Sequence, residues 1–397
     1  MDIPVADGAA CEGHGGAVPW ERARERARGL GARSRVPVRE VPLNGALGGV
    51  LASELRALVG LPAFDASAMD GFAVAGEGPW LLVGSQLAGA PVAGLALGAG
   101  EAAEVATGAR VPKGTEAVLP YERAEVVDGW VRGDALPGRH VRWSGEETAP
   151  GERVLPAGAE IGPAVLGLAA SLGHDTLGVR LPTVSVLVTG DEIAGSGLPG
   201  EGMVRDAIGP MLPGMLAWAG ARLERVRALG DGFTDLGEAL AASGTDVVVV
   251  CGSSSKGPAD HLREVLRGMR AEVVVDGVAC RPGHPQLLAR TKGGVVVGLP
   301  GNPNAALVAS LTLLVPLLSA MSGRPDPTGG LARVPLAGEV RSRPDDTRLV
   351  AVRVSRGRAE PVGHDRPGSL RGAALADAYA VVPPGWDGGE VEVLRLP

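Results

Sequence analysis

Three valine-rich runs in the middle of the chain constrain the fold more than any other feature. They lie at residues 184–188, 246–251 and 295–299, and each is followed by a turn that contains glycine. Unbroken apolar runs are typical of strands buried on both faces, and helices between such strands imply a parallel sheet. Residues 181–321 therefore predict a parallel α/β sheet domain in which strand, glycine-containing loop and helix repeat three times.

The three turns predict an anion-binding edge. They read Thr189-Gly190-Asp191-Glu192, Gly252-Ser253-Ser254-Ser255-Lys256-Gly257 and Pro300-Gly301-Asn302-Pro303. At the carboxyl edge of a parallel sheet, such turns present backbone N–H groups and helix dipoles to a crevice. We expect a site for phosphates or an oxyanion there. The alternative is that these segments are only tight turns.

Asp191 and Glu192 are adjacent carboxylates directly after a strand. Beside a phosphate site, carboxylates commonly hold Mg²⁺, which prefers oxygen ligands and bridges to the phosphates of a substrate. We therefore take both residues as candidate metal ligands. The alternative is that Asp191 caps the helix that follows the turn.

The flanking regions predict smaller domains. A helix is expected at residues 20–29 and a second at 46–58. Between residues 62 and 142, short apolar runs broken by Gly and Pro predict an all-β lobe. From about residue 323 the chain returns to short strands and turns, which predicts a small β domain.

Composition excludes several classes of protein. The net charge of −7 argues against a general binder of nucleic acid or of anionic membranes. The apolar run at 305–321 is shorter than the about 20 residues of a membrane span, so we expect a buried core helix. The N-terminal segment lacks the pattern of a secretory signal, and the three cysteines do not form a disulfide framework, so we expect the cytoplasm.

Single cysteines and histidines give weaker signals. Cys251 closes a strand with no base near it in sequence, so we expect a buried, unreactive thiol. His284 follows Arg281-Pro282-Gly283, which predicts that His284 and Arg281 share a loop that faces the crevice. For the other histidines a structural or exposed role is expected.

Several motifs, in order along the chain, resemble the molybdopterin molybdenumtransferase family. These motifs are Pro62-Ala63-Phe64-Asp65-Ala66-Ser67-Ala68-Met69-Asp70-Gly71-Phe72-Ala73-Val74, Ala106-Thr107-Gly108-Ala109-Arg110-Val111-Pro112-Lys113-Gly114, Thr189-Gly190-Asp191-Glu192, Arg281-Pro282-Gly283-His284-Pro285 and Leu299-Pro300-Gly301-Asn302-Pro303. Near the end, Gly368-Ser369 and Pro383-Pro384-Gly385 also match. The resemblance covers roughly residues 18–397.

The resemblance implies a multidomain α/β protein and a homodimer. Its domains would be a helical linker at residues 18–45 with 147–181, a β lobe at 46–146, an α/β molybdopterin-binding domain at 182–322 and a small β barrel at 323–397. It also implies the reaction, in which adenylated molybdopterin and molybdate give molybdenum cofactor and AMP with the help of Mg²⁺. A molybdopterin adenylyltransferase is the expected partner besides a second copy of the chain.

Site residues follow from the resemblance motif by motif. Asp70 is expected to reach toward the sheet domain of the partner subunit, and Asp191 to lie nearest the metal and the nucleotide, with Glu192 beside it. Lys256 and Asp260 complete the catalytic set. The residues expected to bind molybdate or the rest of the substrate are Thr107, Thr189, Ser255, Arg281, His284, Pro300, Asn302, Arg348 and Ser369.

The pocket departs from the family pattern in its loops. An acidic residue of the family is Pro258 here, and two polar residues after Asp206 are Ala207 and Ile208. A small hydroxyl residue is replaced by Ala305. Two interpretations therefore stand: a working transferase with a rearranged pocket, or a divergent paralogue that acts on another adenylated or phosphorylated ligand or serves as a scaffold.

Two basic positions differ as well. Arg281 and His284 stand where the family usually has lysines. An arginine still binds an oxyanion, although not as the same point charge, while a histidine is only partly charged near neutral pH. Lys256 is one of three lysines among 38 basic residues, which indicates that its charge in the second turn matters.

Overall fold

The computed structural model describes residues 16–89, 94–252, 257, 260–329, 333–364 and 366–397. Ser255, Lys256 and Pro258 lie outside the described residues. The chain divides into two compact units, one of residues 1–41, 46–52 and 178–397 and the other of residues 42–45 and 53–177. They are called the sheet unit and the lobe unit below.

The described residues form eight α-helices. These are α1 Trp20–Arg33, α2 Pro163–Ser171, α3 Leu212–Trp218, α4 Phe233–Ala241, α5 Leu262–Gly268, α6 Pro303–Ala309, α7 Val315–Ser322 and α8 Arg371–Ala374. A π-helical turn, Ser310–Leu314, joins α6 to α7.

The same residues form 28 strands, most of them short. In chain order they are β1 Val18–Pro19, β2 Arg39–Pro42, β3 Val50–Leu51, β4 Leu55–Arg56, β5 Ala66–Ser67, β6 Gly71–Ala75, β7 Trp80–Gln86, β8 Glu101–Val105, β9 Ala117–Pro120, β10 Glu125–Val127, β11 Trp130–Arg132, β12 Val141–Arg142, β13 Arg153–Leu155, β14 Thr176–Arg180, β15 Thr183–Thr189, β16 Ile193–Ala194, β17 Val204–Arg205, β18 Arg222–Leu229, β19 Val247–Cys251, β20 Glu272–Asp276, β21 Val278–Arg281, β22 Leu287–Thr291, β23 Gly294–Leu299, β24 Val334–Pro335, β25 Thr347–Ser355, β26 Arg358–Pro361, β27 Ala378–Val382 and β28 Glu390–Arg395.

The three valine-rich runs are β15, β19 and β23, which lie side by side in a six-stranded sheet of order β18-β15-β19-β23-β22-β20. These three strands are parallel and in register, with Val186 opposite Val249 and Val249 opposite Val297. Alternate residues belong to separate hydrophobic clusters, so that Val249 packs on one face while Val248 and Val250 pack on the other. The prediction of parallel strands buried on both faces is confirmed for these three strands, whereas β22 and β20 pair in antiparallel fashion at one end of the sheet.

The apolar run at 305–321 lies in a continuous helical segment from Pro303 to Ser322, and 94% of its most apolar window is buried inside the protein. The prediction of a buried core helix is confirmed. Helix α1 packs against it so closely that a Cβ added at Gly31 would lie 2.3 Å from the Leu317 carbonyl oxygen. Trp20 Nε1 on α1 also donates to Thr312 Oγ1 at 3.0 Å.

The helix predicted at residues 46–58 is wrong. This segment holds β3 and β4 instead, and β3 pairs with β14. Gly48 adopts a left-handed conformation with φ 79°, which ends any helix there, and β-branched Val50 then enters the strand. The segment forms strands because β3 pairs with the distant strand β14, and the local sequence pattern gives no sign of this pairing.

The C-terminal strands close into a small barrel. β26, β25, β27, β28 and β24 pair in that order, and a bridge between Leu336 and Ala359 joins the last strand back to the first. β25 also pairs with β21, which carries Arg281 at its end. This pairing places the barrel beside the loop that follows β21.

The lobe unit contains a six-stranded sheet of order β10-β11-β7-β8-β6-β9. The predicted strands at Trp80, Ala117 and Trp130 are its members β7, β9 and β11, so the all-β prediction for residues 62–142 is confirmed. Taken together, the two units confirm the predicted multidomain α/β fold class.

Candidate functional site

A cavity of about 780 Å³, the strand-end cavity, lies where β15, β19 and β23 end. The three predicted turns meet there because adjacent parallel strands end at the same edge of a sheet. The lining residues are Val188, Thr189, Gly190, Glu192, Ile193, Val204, Arg205, Asp206, Ala207, Ile208, Asp231, Cys251, Gly252, Asp260, Pro285, Pro300, Gly301, Asn302, Pro303 and Gly368.

The first turn does not lead into a helix. After Asp191 and Glu192 the chain enters β16, which pairs in parallel with β17, and α3 begins only at Leu212. The alternative that Asp191 caps the following helix is therefore wrong. Asp191 instead exchanges hydrogen bonds with Asp231 in the turn after β18: each backbone N–H donates to the other carboxylate, at 3.3 and 3.4 Å.

Asp206 and Ile208 form part of the wall of the strand-end cavity. Asp206 Oδ1 accepts hydrogen bonds from the backbone N–H groups of Ile208 at 3.0 Å and of Gly209 at 2.9 Å, which fixes the turn before α3. Ile208 is only 5% exposed and packs in the hydrophobic core. Where the family has polar groups, this wall therefore presents an apolar side chain.

The second turn is described at its two ends. Gly252 has φ 92°, and a Cβ there would lie 2.7 Å from Thr189 Oγ1, so only glycine fits without displacement. Thr189 Oγ1 donates to the Cys251 carbonyl at 3.1 Å, which ties the first turn to the second. At the far end, Asp260 Oδ2 accepts from the Gly257 N–H at 2.7 Å.

The third turn does not present its helix N-terminus to the crevice, contrary to the sequence prediction. The backbone N–H groups of Asn304 and Ala305 donate to the Pro367 carbonyl, at 2.9 and 3.3 Å. The first-turn donors of α6 are therefore used inside the protein and do not meet an anion. Pro300 and Asn302 still line the cavity.

A second cavity of about 690 Å³, the arginine cleft, opens between the β21 loop and the barrel. It is lined by Cys280, Arg281, Pro282, Gly283, His284, Pro285, Pro300, Asn302, Ala305, Arg341, Ser342, Arg343, Arg348, Arg366 and Pro367. Five arginines and no carboxylate line this cavity. It is therefore a strongly cationic pocket, which suits a dianion.

The arginines of the cleft fall into two groups. Arg281 Nε donates to Asp346 Oδ2 at 3.0 Å, and Arg348 Nη1 donates to the Arg341 carbonyl at 2.8 Å. Asp346 is only 4% exposed, so Arg281 is oriented by a buried carboxylate. By contrast, the guanidinium groups of Arg341, Arg343 and Arg366 make no hydrogen bond or ion pair with the described part of the chain, so they are available to a ligand.

His284 lies in the cleft with its proton position set by the backbone. Its Nδ1 is 2.9 Å from the Val278 carbonyl oxygen, which can only accept, so Nδ1 carries a hydrogen. In the neutral ring Nε2 then has a lone pair, and Nε2 donates to an anion only when the ring is protonated. Arg281 and His284 share the loop after β21 as predicted, but the two side chains line the arginine cleft and not the strand-end cavity.

The two cavities adjoin. Pro285, Pro300 and Asn302 line both of them, so the third turn and the β21 loop form a common wall. Among the site residues predicted from sequence, the structure places Thr189, Glu192, Asp260, Pro300 and Asn302 at the first cavity and Arg281, His284 and Arg348 at the second. Asp191 joins the first through Asp231.

The remaining predicted residues lie elsewhere. In the lobe unit, Asp70 Oδ1 accepts a hydrogen bond from the Thr107 N–H at 2.7 Å, which brings those two residues together. Ser369 follows the cavity-lining Gly368 but lines neither cavity; its hydroxyl accepts from the Arg371 N–H at 3.3 Å. Ser255 and Lys256 belong to the part of the second turn outside the described residues.

The carboxylates at the strand-end cavity suit a hard cation that is coordinated by both the protein and the substrate. Glu192, Asp206, Asp231 and Asp260 line the cavity and supply oxygen donors. No group of three or more side chains that could hold a metal by themselves occurs among the described residues. Mg²⁺ is commonly bound by one or two carboxylates, water and the phosphates of a substrate, which is compatible with this arrangement.

The prediction that Cys251 is buried is confirmed, and Cys280 is buried as well. Cys251 and Cys280 are free and buried, and burial raises the pKa of both thiols far above the usual range. Asp206 adds to the rise at Cys251, and Asp346 to the rise at Cys280. Cys11 lies outside the described residues.

Sequence reasoning missed Asp231 and the outer arginines. Asp231 stands in Gly230-Asp231-Gly232 directly after β18, so the same strand-and-glycine signal used for the other turns could have found it. Arg341, Arg343 and Arg366 belong to loops around the barrel, whose pairing with β21 brings them to the cleft. No local pattern contains that pairing.

Together, the fold and the two adjoining cavities define a multidomain α/β protein with a carboxylate-lined cavity beside an arginine-lined one. Comparison with protein families gives three matches along the chain. The MoeA N-terminal region (domain I and II) matches residues 18–173, the probable molybdopterin binding domain 185–320 and the MoeA C-terminal region (domain IV) 333–396.

Individual relatives agree with these matches. Molybdopterin molybdenumtransferase 2 of Mycobacterium tuberculosis (strain H37Rv) is 37% identical over 308 residues, which cover 72% of this chain and 76% of that protein. Molybdopterin molybdenumtransferase of Staphylococcus aureus (strain MSSA476) is 26% identical over 389 residues, covering 93% of this chain and 92% of the other.

A solved structure matches nearly the full length of the chain. The molybdopterin biosynthesis MoeA protein of Pyrococcus horikosii has a TM-score of 0.67 and is 29% identical, and the match covers 96% of this chain and 99% of that one. The chain belongs to the molybdopterin molybdenumtransferase family. It is thus a transferase of molybdenum cofactor biosynthesis, as its motifs predicted.

Proposed function

We propose that this chain inserts molybdate into adenylated molybdopterin and releases AMP and molybdenum cofactor. The observation that carries the proposal is the common wall of Pro285, Pro300 and Asn302 between the strand-end cavity and the arginine cleft. A nucleotide and its pyrophosphate in the first cavity would lie beside an oxyanion in the second. Both reactants are then held together, which is the main requirement for a reaction between two bound ligands.

The strand-end cavity is the proposed site of the adenylate. Thr189 and Gly252 lie close together at two strand ends and line this cavity, where we place the pyrophosphate. Ser255 and Lys256 belong to the second turn, and we assign them the binding of phosphate oxygens on the basis of their motif. Asp260, which fixes the end of that turn through Gly257, completes the proposed catalytic set.

We propose that Mg²⁺ binds with the substrate at Asp191, Glu192 and Asp231. When bound, Mg²⁺ would neutralise the charge of the pyrophosphate, and the carboxylates would keep the ion at the strand ends. Asp191 and Asp231 fix each other through their backbone N–H groups, so the carboxylates are oriented before the substrate arrives. Water would cleave the P–O bond and release AMP, and the two dithiolene thiols would bind molybdenum while one oxygen of molybdate leaves as water with their two protons.

The arginine cleft is the proposed molybdate site. Arg281, oriented by Asp346, and Arg348, bonded to the Arg341 carbonyl, offer N–H donors to the oxyanion. His284 adds a donor when it is protonated. Ser369 is assigned to the same region through its motif, and tungstate has the same shape and charge as molybdate and would fit the same donors.

Some proposed features concern the assembly and its surroundings. We propose a homodimer in which Asp70 and Thr107 of the lobe unit approach the sheet unit of the partner subunit. The supplier of the adenylated substrate would be a molybdopterin adenylyltransferase, and the cytoplasm is the proposed compartment. Neither nucleic acid nor a membrane is a proposed partner.

The second candidate function is that of a divergent paralogue. It is favoured by Ile208, which is 5% exposed and lines the strand-end cavity where the family has a polar residue. Pro258, in place of an acid, points the same way. Such a protein would bind another adenylated or phosphorylated ligand in the same cavity, or act as a scaffold.

The test is AMP release from adenylated molybdopterin by the purified chain with Mg²⁺, with and without molybdate. We expect release that depends on molybdate and is lost in Asp191→Ala. A motif-complete relative run beside it shows that the substrate is intact. No AMP from this chain where the relative succeeds would reject the transferase and favour the paralogue.

A further inference from the structure

Residues 366–368, called the strap here, run across the N-terminal end of α6. The Pro367 carbonyl accepts hydrogen bonds from the Asn304 and Ala305 N–H groups at 2.9 and 3.3 Å. Asn304 Nδ2 donates to the Arg366 carbonyl at 3.2 Å. Three hydrogen bonds thus attach the strap to the core helix.

The strap forms part of both cavities. Arg366 and Pro367 line the arginine cleft, and Gly368 lines the strand-end cavity. A Cβ added at Gly368 would lie 3.6 Å from Asn302 Oδ1, so the strap passes directly over the common wall. A shift of the strap would therefore move Arg366 relative to the other arginines of the cleft.

Asn304 is the centre of this attachment. It is 2% exposed, and its Oδ1 accepts a hydrogen bond from the hydroxyl of Tyr379 on β27, which is fully buried. One side chain thus joins the core helix, the strap and the barrel. Buried polar groups are costly unless bonded, and Asn304 has partners on both ends of its amide.

We propose that Asn304 and Tyr379 are positioning residues for oxyanion binding and act through Arg366. This inference rests on the proposed function of the arginine cleft. The Arg366 side chain has no hydrogen-bond or ion-pair partner among the described residues, so the hydrogen-bonded backbone of the strap sets where this side chain enters the cleft. The family motifs identify neither Asn304 nor Tyr379, and Ala305 beside them lacks the hydroxyl of the family.

The main variant is the double substitution Asn304→Leu with Tyr379→Phe. Both replacements keep approximately the volume of the buried side chains, and removing both members of a buried hydrogen bond is nearly neutral for stability. The bond from Asn304 to the strap is lost in the same step. We expect a melting temperature near that of the unchanged chain, together with a dissociation constant for molybdate about three- to tenfold higher.

Isothermal titration calorimetry of the full chain with molybdate measures the dissociation constant for molybdate without turnover. AMP serves as the matched probe of the other cavity, since the strap contributes only Gly368 there. AMP affinity should change less than about twofold. If the double variant were only less well folded, it would bind both molybdate and AMP more weakly and would have a lower melting temperature.

A double-mutant cycle that combines the double substitution with Arg366→Gln tests whether the loss of molybdate affinity depends on the Arg366 side chain. In that background, the double substitution should cause no further loss of molybdate affinity, because the guanidinium it positions is gone. A role unrelated to Arg366 would give the same loss in both backgrounds. That additive result would overturn the inference.

The outcomes separate the inference from the proposed function. Unchanged molybdate affinity in the double variant overturns the inference, and so does an unchanged chain that binds no molybdate. A chain that binds molybdate, loses affinity in the double variant and yet releases no AMP supports the inference and rejects the proposed transferase activity.

Discussion

Asp191 and Asp231 hold each other in place by reciprocal hydrogen bonds, each backbone N–H donating to the carboxylate of the other residue at 3.3 and 3.4 Å. The two residues follow β15 and β18, which are paired parallel strands. Asp231 lines the strand-end cavity. The pair therefore acts as one acidic unit, and a change at Asp231 affects the residue that the family motif identifies.

Replacing Asp231 by Asn should lower the rate of AMP release about 10- to 100-fold, the usual effect of losing a residue that orients a metal-binding carboxylate. The amide keeps the shape but lacks the charge. Initial rates over a series of Mg²⁺ concentrations measure the effect, and we expect the half-saturating concentration of Mg²⁺ to rise. Glu224→Gln is the matched control, since Glu224 is an exposed carboxylate near the start of the same strand, β18. Equal rates for Asp231→Asn and the control would reject the acidic unit.

Replacing Arg348 by Gln should raise the KM for molybdate about tenfold, equal to roughly 1.4 kcal/mol, with a smaller change in kcat. The reason is the loss of a cationic donor at the wall of the arginine cleft. Arg358 is exposed on β26 and lies outside the cleft, so Arg358→Gln is the control with the same charge change. If the two variants have the same KM, the arginine cleft is not the molybdate site.

Replacing Asp326 by Asn should reduce the stability of the chain at neutral pH. Asp326 Oδ2 accepts from Arg24 Nη2 at 2.9 Å, and Arg24 also donates to Thr328 Oγ1 at 2.6 Å. Burial lowers the pKa of Arg24 to about 10, so its charge persists at pH 7. Removing one partner of such a buried pair costs on the order of 3 kcal/mol.

The pH dependence of that loss has a defined sign. Burial alone would raise the pKa of Asp326, but the charge of Arg24 and hydrogen bonds from Thr328 and Arg28 hold it below its ordinary value. A depressed carboxyl pKa contributes stability above the unfolded value of about 3.9, and this stability is lost as the pH falls through the folded pKa. Melting temperatures should thus differ most near pH 7 and converge below about pH 4. A constant difference would contradict the ion pair.

The buried thiols should resist modification in the folded state. Burial raises the pKa of Cys251 and Cys280, so little thiolate forms at neutral pH. In a Cys11→Ser variant, we expect a thiol reagent to label both cysteines only in denaturant. Rapid labelling of the native variant would show that one of the cavities opens to the depth of these residues.

The sequence predicted those parts of the fold that depend on periodic local patterns. The three buried strands and the core helix needed only apolar runs and turn residues, and the structure confirms them. The predicted helix at 46–58 failed because β3 pairs with β14, more than a hundred residues away. Long-range pairing of this kind leaves no trace in a local window.

The candidate site also has features that local sequence patterns predicted and features that depend on contacts between distant segments. Thr189, Glu192, Pro300 and Asn302 line the strand-end cavity, and each belongs to a turn that the sequence predicted directly after a buried strand. The capping of α6 by Pro367 was missed because the acceptor comes from a distant loop. Roles assigned to Ser255 and Lys256 stay predictions, since both lie outside the described residues.

The most direct test of the proposed function is the ratio of molybdenum transferred to AMP released. Adenylated molybdopterin, molybdate and Mg²⁺ are incubated with the chain, AMP is quantified by chromatography and the molybdenum bound to the isolated pterin by mass spectrometry. We expect equal amounts of the two, both lost in Asp191→Ala. AMP without molybdenum on the pterin would show that the chain only hydrolyses the pyrophosphate, and would contradict the account of two ligands joined across a common wall.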